Sequence, residues 1–278
     1  MYVAMLKKIG KAVLRVSKRD ISDSIAFEVN LLDFLFHQNI SVPHIIPTKE
    51  GALWIKHDGL PVVCFHFIPG EALLVDVNNK PQSVYAFTAG KSLGLLHAAG
   101  RQFNYRHAKR RTIFTEYNRA LHQREKILLL ESGKEFLKTI ERYLNWAQEY
   151  NGTTGIIHND YIPSNVMFNG KESATIIDFD WACRGPLIKD VGIALATWSL
   201  PDGLEHHWKD VFNAFIEGYN ETAPEKIMAN EILYKWICFA CLTDACTFFS
   251  DLPEDDPSIT RIMQCRRYRK FLYFAKKT

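Results

Sequence analysis

The sequence is most informative at Ile156-Ile157-His158-Asn159-Asp160-Tyr161-Ile162-Pro163-Ser164-Asn165 and at Ile176-Ile177-Asp178-Phe179-Asp180. An apolar run enters a His-x-Asp turn, an Asn follows five residues after that Asp, and a second apolar run ends in another Asp. Phosphoryl transfer requires a carboxylate that orients or deprotonates the attacking hydroxyl, and oxygen ligands that hold Mg²⁺ on the nucleotide phosphates. Asp160 suits the first task, and Asn165 and Asp178 suit the second. The pattern therefore predicts the core of a kinase-type active site.

The residues between the two runs predict a hairpin that brings the polar side chains together. Val166-Met167-Phe168 is typical of a short strand, and the Asn169-Gly170 pair that follows it is a strong hairpin signal. A hairpin places Asn165 and Asp178 close together, as two ligands of one metal must be. Isolated Asp and Asn residues are more often turn formers or helix caps. Here each follows a strand-like run, so we favour the metal site.

These segments resemble the catalytic and metal-binding loops of the aminoglycoside phosphotransferase family, which includes choline kinases and kinase-like homoserine kinases. His158-Asn159-Asp160 resembles a variant common in choline-kinase-like members, whereas Asp178-Phe179-Asp180-Trp181-Ala182-Cys183-Arg184-Gly185-Pro186 resembles the homoserine-kinase-like branch. The resemblance spans most of the chain. It implies a two-lobed, protein-kinase-like α+β fold with a truncated, β-rich N-terminal lobe and a mainly helical C-terminal lobe.

The expected small lobe covers residues 1–68 and the helical lobe covers residues 69–278, because Pro69-Gly70 interrupts a strand. Apolar spacing predicts the elements of the small lobe: a hairpin of Tyr2–Leu6 and Ala12–Val16, a helix over Ser22–Asn39, and strands over Gly51–His57 and Leu60–Ile68. It also predicts the helices of the large lobe: Ser83–Ala99, Thr115–Ser132, Glu135–Tyr150, a helix capped by Asp190, His206–Asn220 and Ala229–Phe249.

A kinase-like lobe needs a cation on a strand that reaches the nucleotide phosphates, steadied by a helix carboxylate. Arg15 stands where a Lys is usual, and Glu28 is its expected partner, although both residues also fit ordinary surface charges. The resemblance further implies that the segment around Phe67 contacts adenine through its backbone. It also implies that Asp190 holds the catalytic loop and stays outside the catalytic set.

The chain departs from the family at its N-terminus. Members usually begin with a helix, a strand and a loop of small residues that covers the phosphates, and nothing before Tyr2 supplies these parts. We therefore expect weaker nucleotide affinity and poorer exclusion of water. The alternative hypothesis is a catalytically weak or inactive kinase-like protein that binds a nucleotide or a small molecule.

Charge, apolar runs and cysteine content indicate which binding partners and which cellular compartment to expect. A net charge of +3 argues against a dedicated nucleic-acid binder, and the basic stretch Gln102–Thr112 is better explained as a solvated loop. We expect no apolar run of membrane-span length and no signal peptide. The six cysteines, including the pair Cys238 and Cys241, are interpreted as reduced core thiols of a cytoplasmic protein.

The acceptor is expected to be a small molecule with a hydroxyl group: a homoserine-like amino alcohol, choline or ethanolamine, or an aminoglycoside. A pocket for a substrate amine could be formed by acidic and aromatic side chains, although a solvated acidic turn explains them equally well. The candidates are Asp244, Asp251, Glu254, Asp255 and Asp256, with Trp198, Trp236 and Phe248 as walls.

The predicted reaction is the Mg²⁺-dependent transfer of the γ-phosphate of ATP or GTP to this hydroxyl. Asp160 positions and deprotonates the hydroxyl, and His158 supports the catalytic loop by hydrogen bonding. The ligands Asn165 and Asp178 carry Mg²⁺, and Arg15, steadied by Glu28, meets the phosphates. Asp180 either touches metal or substrate or caps a turn.

Overall fold

The structure, a computed structural model, describes residues 1–18, 22–105, 111–201, 207–253 and 258–278. The N-terminal elements are β1 (Tyr2–Leu6), β2 (Gly10–Val16), α1 (Ser22–His37), β3 (Ile55–His57) and β4 (Leu60–His66). The elements that follow are β5 (Glu71–Ala72), α2 (Ser83–Gly100), α3 (Thr115–His122), α4 (Arg124–Leu128), α5 (Gly133–Gln148), β6 (Thr154–Ile157), β7 (Val166–Phe168), β8 (Ala174–Ile176), β9 (Cys183–Pro186), α6 (Leu187–Trp198), α7 (Lys209–Thr222), α8 (Glu231–Asp251) and α9 (Arg266–Ala275). This is the α+β arrangement that the sequence predicts.

The N-terminal strands form one antiparallel sheet in the order β1-β2-β4-β3. The predicted hairpin and the helix that follows it are present, and α1 buries Ile25, Val29 and Leu32 on one side. The strand predicted over Gly51–His57 begins only at Ile55. A hydrogen bond from the Thr48 amide to the Ala52 carbonyl closes a turn just before it, and Gly51 there has a φ of +84°.

The chain passes from the first sheet to the second between His66 and Glu71, where β4 ends and β5 begins to pair with β7. Gly70 permits this passage, since its φ is +122° and a Cβ there would collide with the carbonyl oxygen of Phe168. The division into lobes at residues 68 and 69 stays a prediction.

The C-terminal helices bury the large aromatic side chains. Helices α2 and α7 approach closely at Gly90 and Gly218. The contact is so close that a Cβ at either glycine would collide with the backbone of the opposite helix. Trp198 and Trp236 are fully buried in the core. The interpretation of these two tryptophans as pocket walls is therefore wrong.

Several helix boundaries differ from the predicted ones. The helix predicted over Thr115–Ser132 is divided into α3 and α4 at Gln123, which leaves the helical region, and α4 ends at Leu128, before the left-handed Ser132 with a φ of 66°. Helix α7 begins at Lys209, and His206 lies outside the described residues. Helix α8 begins after Asn230, whose side chain accepts a hydrogen bond from the Leu233 amide at 3.0 Å.

Helix α8 corrects the expectation that no segment has the length and composition of a membrane span. Its residues Glu231–Asp251 have a mean hydropathy of 1.4 over the most apolar window, and 61% of that window is buried inside the protein. The helix packs against α3, α6 and α9, as core helices also do. Cys238 and Cys241 are buried within it as free thiols, so the prediction of a helix core there is confirmed.

Candidate active site

The catalytic loop follows strand β6 and is held by Asp190 from the first turn of α6. The fully buried Asp190 carboxylate accepts hydrogen bonds from the backbone amides of His158 at 2.6 Å and of Asn159 at 2.7 Å. Burial alone would raise the pKa of this carboxyl, but the hydrogen bond and charge of His97 hold the pKa below its usual range. Pro186 occupies the N-cap position of this helix and Asp190 lies within the first turn, so the interpretation of Asp190 as an N-cap is wrong. Its bonds are those of a residue that holds the loop.

The ring of His158 connects the two polar segments. Its Nε2 lies 2.9 Å from the carbonyl oxygen of Ile177, and its Nδ1 accepts the backbone amide of Asp160 at 3.3 Å. These partners require the proton on Nε2 and a free lone pair on Nδ1, which is a neutral imidazole. Burial also lowers the pKa of His158. His158 therefore has the contacts of a positioning residue.

Asn159 and Lys189 form a contact that the sequence interpretation missed. Asn159 is left-handed with a φ of 67°, and its side-chain oxygen accepts a hydrogen bond from the ammonium group of Lys189. Lys189 is only 1% exposed, and burial lowers its pKa. The sequence did contain a signal for this contact, namely a lysine inside the largely apolar run Leu187–Ala196. A buried ammonium group needs a polar partner, so such a lysine indicates a hydrogen-bond acceptor nearby.

Asp160 and Asn165 are in direct contact. The Asn165 side-chain amide donates to the Asp160 carboxylate and to the Asp160 carbonyl oxygen, each at 2.9 Å. Burial, followed by the charges of Asp244 and Asp178, raises the pKa of Asp160 to about 7. A carboxyl group with this pKa can exchange a proton near neutral pH.

The β7–β8 hairpin brings Asn165 and Asp178 to the same end of the second sheet. Val166 pairs with Ile176, and the Ile177 amide donates to the Asn165 carbonyl at 2.9 Å. The predicted hairpin is therefore present. Asp178 is left-handed with a φ of 64°, and its side chain is exposed to solvent. Even so, the surrounding protein and the charge of Asp180 raise its pKa.

The chemistry of these donors fits a hard divalent cation. The Asn165 amide nitrogen is used by Asp160, which leaves the amide oxygen as a ligand beside the Asp178 carboxylate. Nowhere in the described ranges do three or more His, Cys, Asp or Glu side chains form a cluster suited to a metal ion. Mg²⁺ is commonly bound by one or two carboxylates together with phosphate oxygens and water, so a small oxygen set suffices.

Arg15 lies between two carboxylates near this pair. Its guanidinium group donates to both oxygens of Glu28, at 2.9 and 2.6 Å, and to Asp180 at 3.1 Å. Burial raises the pKa of Glu28, and the charge of Arg15 opposes this shift. Arg15 and Glu28 therefore form the expected strand–helix pair, whereas their contact with a nucleotide stays a prediction. Asp180 lies inside the short helical turn Phe179–Trp181 and pairs with Arg15.

Phe67 directly follows strand β4. Its backbone amide donates to the Lys11 carbonyl at 3.2 Å, and the Lys11 ammonium lies 3.6 Å from the centre of its ring. The amide is thus already used by the sheet, and among the described residues no backbone amide donates to the Phe67 carbonyl, which is therefore the group left for a ligand. The role of Phe67 in adenine binding stays a prediction.

A cleft of about 360 Å³ borders Asp160, and we call it the acceptor cleft. Charged groups on its wall are Asp76, Asp160, Asp244, Arg267 and Lys270, whereas Asn165, Asp178 and Arg15 are absent from the wall. The metal-ligand candidates and the acceptor cleft therefore flank Asp160 from different sides.

Other residues proposed for substrate binding have different surroundings. Asp251 pairs with Arg119, and Phe248 faces Arg267. The acidic residues 254–256 lie outside the described residues. Of the basic stretch Gln102–Thr112, residues 106–110 also lie outside, and Arg111 stacks on Trp181 at 3.8 Å.

The sequence is similar to those of a known protein family. A sequence model of the phosphotransferase enzyme family matches residues 1–226. The chain is 29% identical over 226 residues to a homoserine kinase of Rhizobium etli, covering 79% of this chain and 66% of the relative. It is 28% identical over 234 residues to a homoserine kinase of Caulobacter vibrioides, covering 81% of this chain and 70% of the relative. The chain thus spans about two thirds of the length of these relatives.

Solved structures show the same fold at low sequence identity. An amicoumacin kinase is similar with a TM-score of 0.75 and 14% identity, covering 99% of this chain and 88% of that one. A microcompartment-associated aminopropanol kinase has a TM-score of 0.69 and 16% identity, covering 99% and 90%. An ethanolamine kinase of Plasmodium vivax has a TM-score of 0.66 and 16% identity, covering 96% and 77%. The predicted protein-kinase-like fold is confirmed.

Proposed function

Since this chain belongs to the phosphotransferase enzyme family, we propose that it transfers the γ-phosphate of ATP or GTP to a hydroxyl group of a small molecule. One observation carries the proposal. Asp160, with a pKa raised to about 7, borders the acceptor cleft and contacts Asn165, which the β7–β8 hairpin places beside Asp178. The candidate base Asp160 thus lies between two oxygen ligands for a metal and a cleft for the acceptor.

Asp160 acts on the acceptor hydroxyl. One of its carboxylate oxygens accepts the Asn165 amide, so the other is left to accept a hydrogen bond from the hydroxyl. The hydroxyl oxygen attacks the γ-phosphorus, the bond to the β-phosphate oxygen breaks, and the nucleoside diphosphate leaves. The hydroxyl proton passes to Asp160 and then to solvent. The catalytic loop keeps this geometry through His158 and Asp190.

Asn165 and Asp178 would hold Mg²⁺ through the amide oxygen and the carboxylate. When bound, Mg²⁺ neutralises charge on the transferred phosphoryl group and on the leaving diphosphate. Exposure of the Asp178 side chain permits contact with a nucleotide, while partial burial and the charge of Asp180 raise the pKa of this carboxyl group.

Arg15 would contact the nucleotide phosphates. Its two hydrogen bonds to Glu28 fix the plane of the guanidinium group, and a planar fork of donors matches phosphate oxygens. In this arrangement Glu28 positions Arg15 and does not touch the nucleotide. The segment around Phe67 would receive the adenine.

The acceptor is proposed from the names of the relatives. Homoserine kinases are among the proteins similar in sequence, and an aminopropanol kinase and an ethanolamine kinase share the fold. A small amino alcohol of the homoserine type is therefore our first candidate, followed by choline or ethanolamine and by aminoglycosides. None of the six cysteines, all within the described residues, is part of a disulfide, which supports a reducing compartment such as the cytoplasm.

Thermal stabilisation by nucleotides tests the site first. ATP or GTP should raise the Tm of the wild type only with Mg²⁺, and Asp178→Ala should lose most of this shift. Glu50→Ala, in an exposed turn, serves as the matched control and should retain it. Phosphorylation of an acceptor by the wild type that disappears in Asp160→Ala would support a catalytic role for Asp160. Nucleotide binding without turnover of any amino alcohol or aminoglycoside would favour the alternative of a binding module.

A further inference from the structure

The acceptor cleft carries charges of both signs. Three carboxylates, Asp76, Asp160 and Asp244, lie on its wall together with two cations, Arg267 and Lys270. A cleft for a simple ammonium alcohol needs carboxylates alone, because cations beside the ligand would repel it. Lys270 is engaged within the wall, so the exposed Arg267 is the cation that requires an explanation of its own.

Arg267 and Lys270 project from the same side of helix α9. Residues three apart are neighbours on a helix surface, so the two side chains line the cleft together. Lys270 is 8% exposed and donates to the Ala196 carbonyl at 3.4 Å, which fixes its stem in the wall. Both cations face the cleft that contains Asp160.

Arg267 is placed to receive an anionic group. It is exposed, and across the described ranges its guanidinium group makes no salt bridge, while it lies 6.0 Å from the centre of the Phe248 ring. A guanidinium group binds a carboxylate through two parallel hydrogen bonds, which adds orientation as well as affinity. Such a ligand would also place a negative charge near the ammonium of Lys270.

Resting on the function proposed above, we infer that Arg267 and Lys270 select acceptors that carry a carboxylate in addition to an ammonium group. The carboxylate binds at α9, the ammonium group binds near Asp244, and the hydroxyl reaches Asp160. The acceptor class is thus hydroxy amino acids, in preference to plain amino alcohols. Helix α9 lies beyond residue 226, where the match to the family ends, so this selection comes from a part of the chain outside the match.

Two substrates that differ only in the carboxylate test the inference. Homoserine and 3-amino-1-propanol have the same hydroxyl, the same chain and the same amine, and only homoserine has the acid. The wild type should prefer homoserine in kcat/KM. Arg267→Gln should lower kcat/KM for homoserine about tenfold or more, mainly through KM, because a charge-assisted bidentate contact is lost. The same variant should leave 3-amino-1-propanol unchanged or slightly improved.

Arg266→Gln is the matched control, since Arg266 is exposed, adjacent in sequence and absent from the cleft wall. It should change neither substrate. Arg267→Lys keeps the charge and should recover part of the preference for homoserine. An equal loss for both substrates in Arg267→Gln would overturn the inference, as would a wild type that favours 3-amino-1-propanol or uses neither compound.

The nucleotide assay separates these outcomes from failure of the proposed function. If Mg²⁺-dependent stabilisation by ATP or GTP is present and another hydroxyl compound is phosphorylated, the phosphotransferase function stands and only the inference about α9 fails. If stabilisation and turnover are both absent, the proposed function fails as well.

Discussion

The buried ammonium group of Lys189 donates a hydrogen bond to the side-chain oxygen of Asn159, the left-handed residue directly before Asp160. A fully buried lysine is costly unless its charge is hydrogen-bonded and compensated. Asp190, Asp160 and Asp244 all lie near enough to favour the charged form of Lys189. The ammonium group thus links helix α6 to the loop that carries the proposed base.

Lys189→Met should disturb catalysis more than nucleotide binding. Methionine keeps most of the buried stem but removes the hydrogen bond, so Asn159 and Asp160 lose their fixed position. We expect kcat to fall about 10- to 100-fold, as is common when a supporting contact of a catalytic group is lost. Steady-state kinetics measure kcat, and the Mg²⁺-dependent Tm shift should stay near the wild-type value. The exposed Lys226→Met is the control, and an unchanged kcat in Lys189→Met would contradict this role.

Asp160→Asn should remove most turnover while sparing the nucleotide site. Asparagine is nearly the same shape but cannot accept the hydroxyl proton, and a positioned general base contributes about 10²- to 10⁴-fold. We expect a loss of kcat in that range with the nucleotide-induced Tm shift preserved. Asp33→Asn, on an exposed part of α1, controls for the change of charge. A variant with near-normal kcat would show that Asp160 is not the base.

The same carboxyl group predicts a pH dependence of stability. Its pKa is raised to about 7 in the folded protein, so the folded state holds a proton that the unfolded state releases near the ordinary Asp value. This contribution to stability is fully present below the unfolded pKa and is lost as pH rises through about 7. We compare Asp160→Asn with the wild type in the absence of nucleotide and metal. The Tm of the variant minus the Tm of the wild type should increase as pH rises from 4 to 8. A constant difference between the two Tm values would contradict the raised pKa.

Arg15 and Glu28 should behave as one unit in nucleotide binding. Arg15→Lys keeps the charge but loses the planar fork, so we expect the Kd for the nucleotide to rise about tenfold. Glu28→Gln should weaken binding through Arg15, and the double variant should lose less than the sum of the single losses. Calorimetry with Mg²⁺ and ATP measures the four affinities, with Lys7→Gln at the β1–β2 turn as the control. Additive losses would mean that Glu28 does not act through Arg15.

Asp190→Ala should destabilise the protein as a whole. The substitution leaves two backbone amides of the catalytic loop and the ring of His97 without an acceptor in a fully buried site. Breaking such a network typically costs about 3–5 kcal/mol in the free energy of unfolding. Denaturation in urea measures this change. Asp210→Ala removes an exposed pair with Lys80 and should cost less than about 1 kcal/mol. Similar losses for the two variants would contradict the central role of Asp190.

Short-range sequence patterns were sufficient for the catalytic segments. The apolar run before His158, the Asn-Gly turn and the second apolar run before Asp178 predict two strand ends and a hairpin, and the structure has them. Strand and turn preferences depend on residues that are neighbours in the sequence, so the sequence alone is enough to locate these strands and this turn. The error in α3 and α4 has a local cause too, since the non-helical Gln123 interrupts an otherwise helical pattern.

The sequence by its own spacing determines the elements, the order of the polar residues along the chain and the type of chemistry that they can perform. Packing alone decides which distant side chains meet. His97 lies 93 positions from Asp190, and Lys189 lies 30 positions from Asn159, yet both pairs are hydrogen-bonded because the core has closed around them. Arg267 likewise reaches the cleft beside Asp160 only through the packing of α9 on α8. Contacts between distant residues depend on how helices bury their apolar faces, and no local pattern specifies that arrangement.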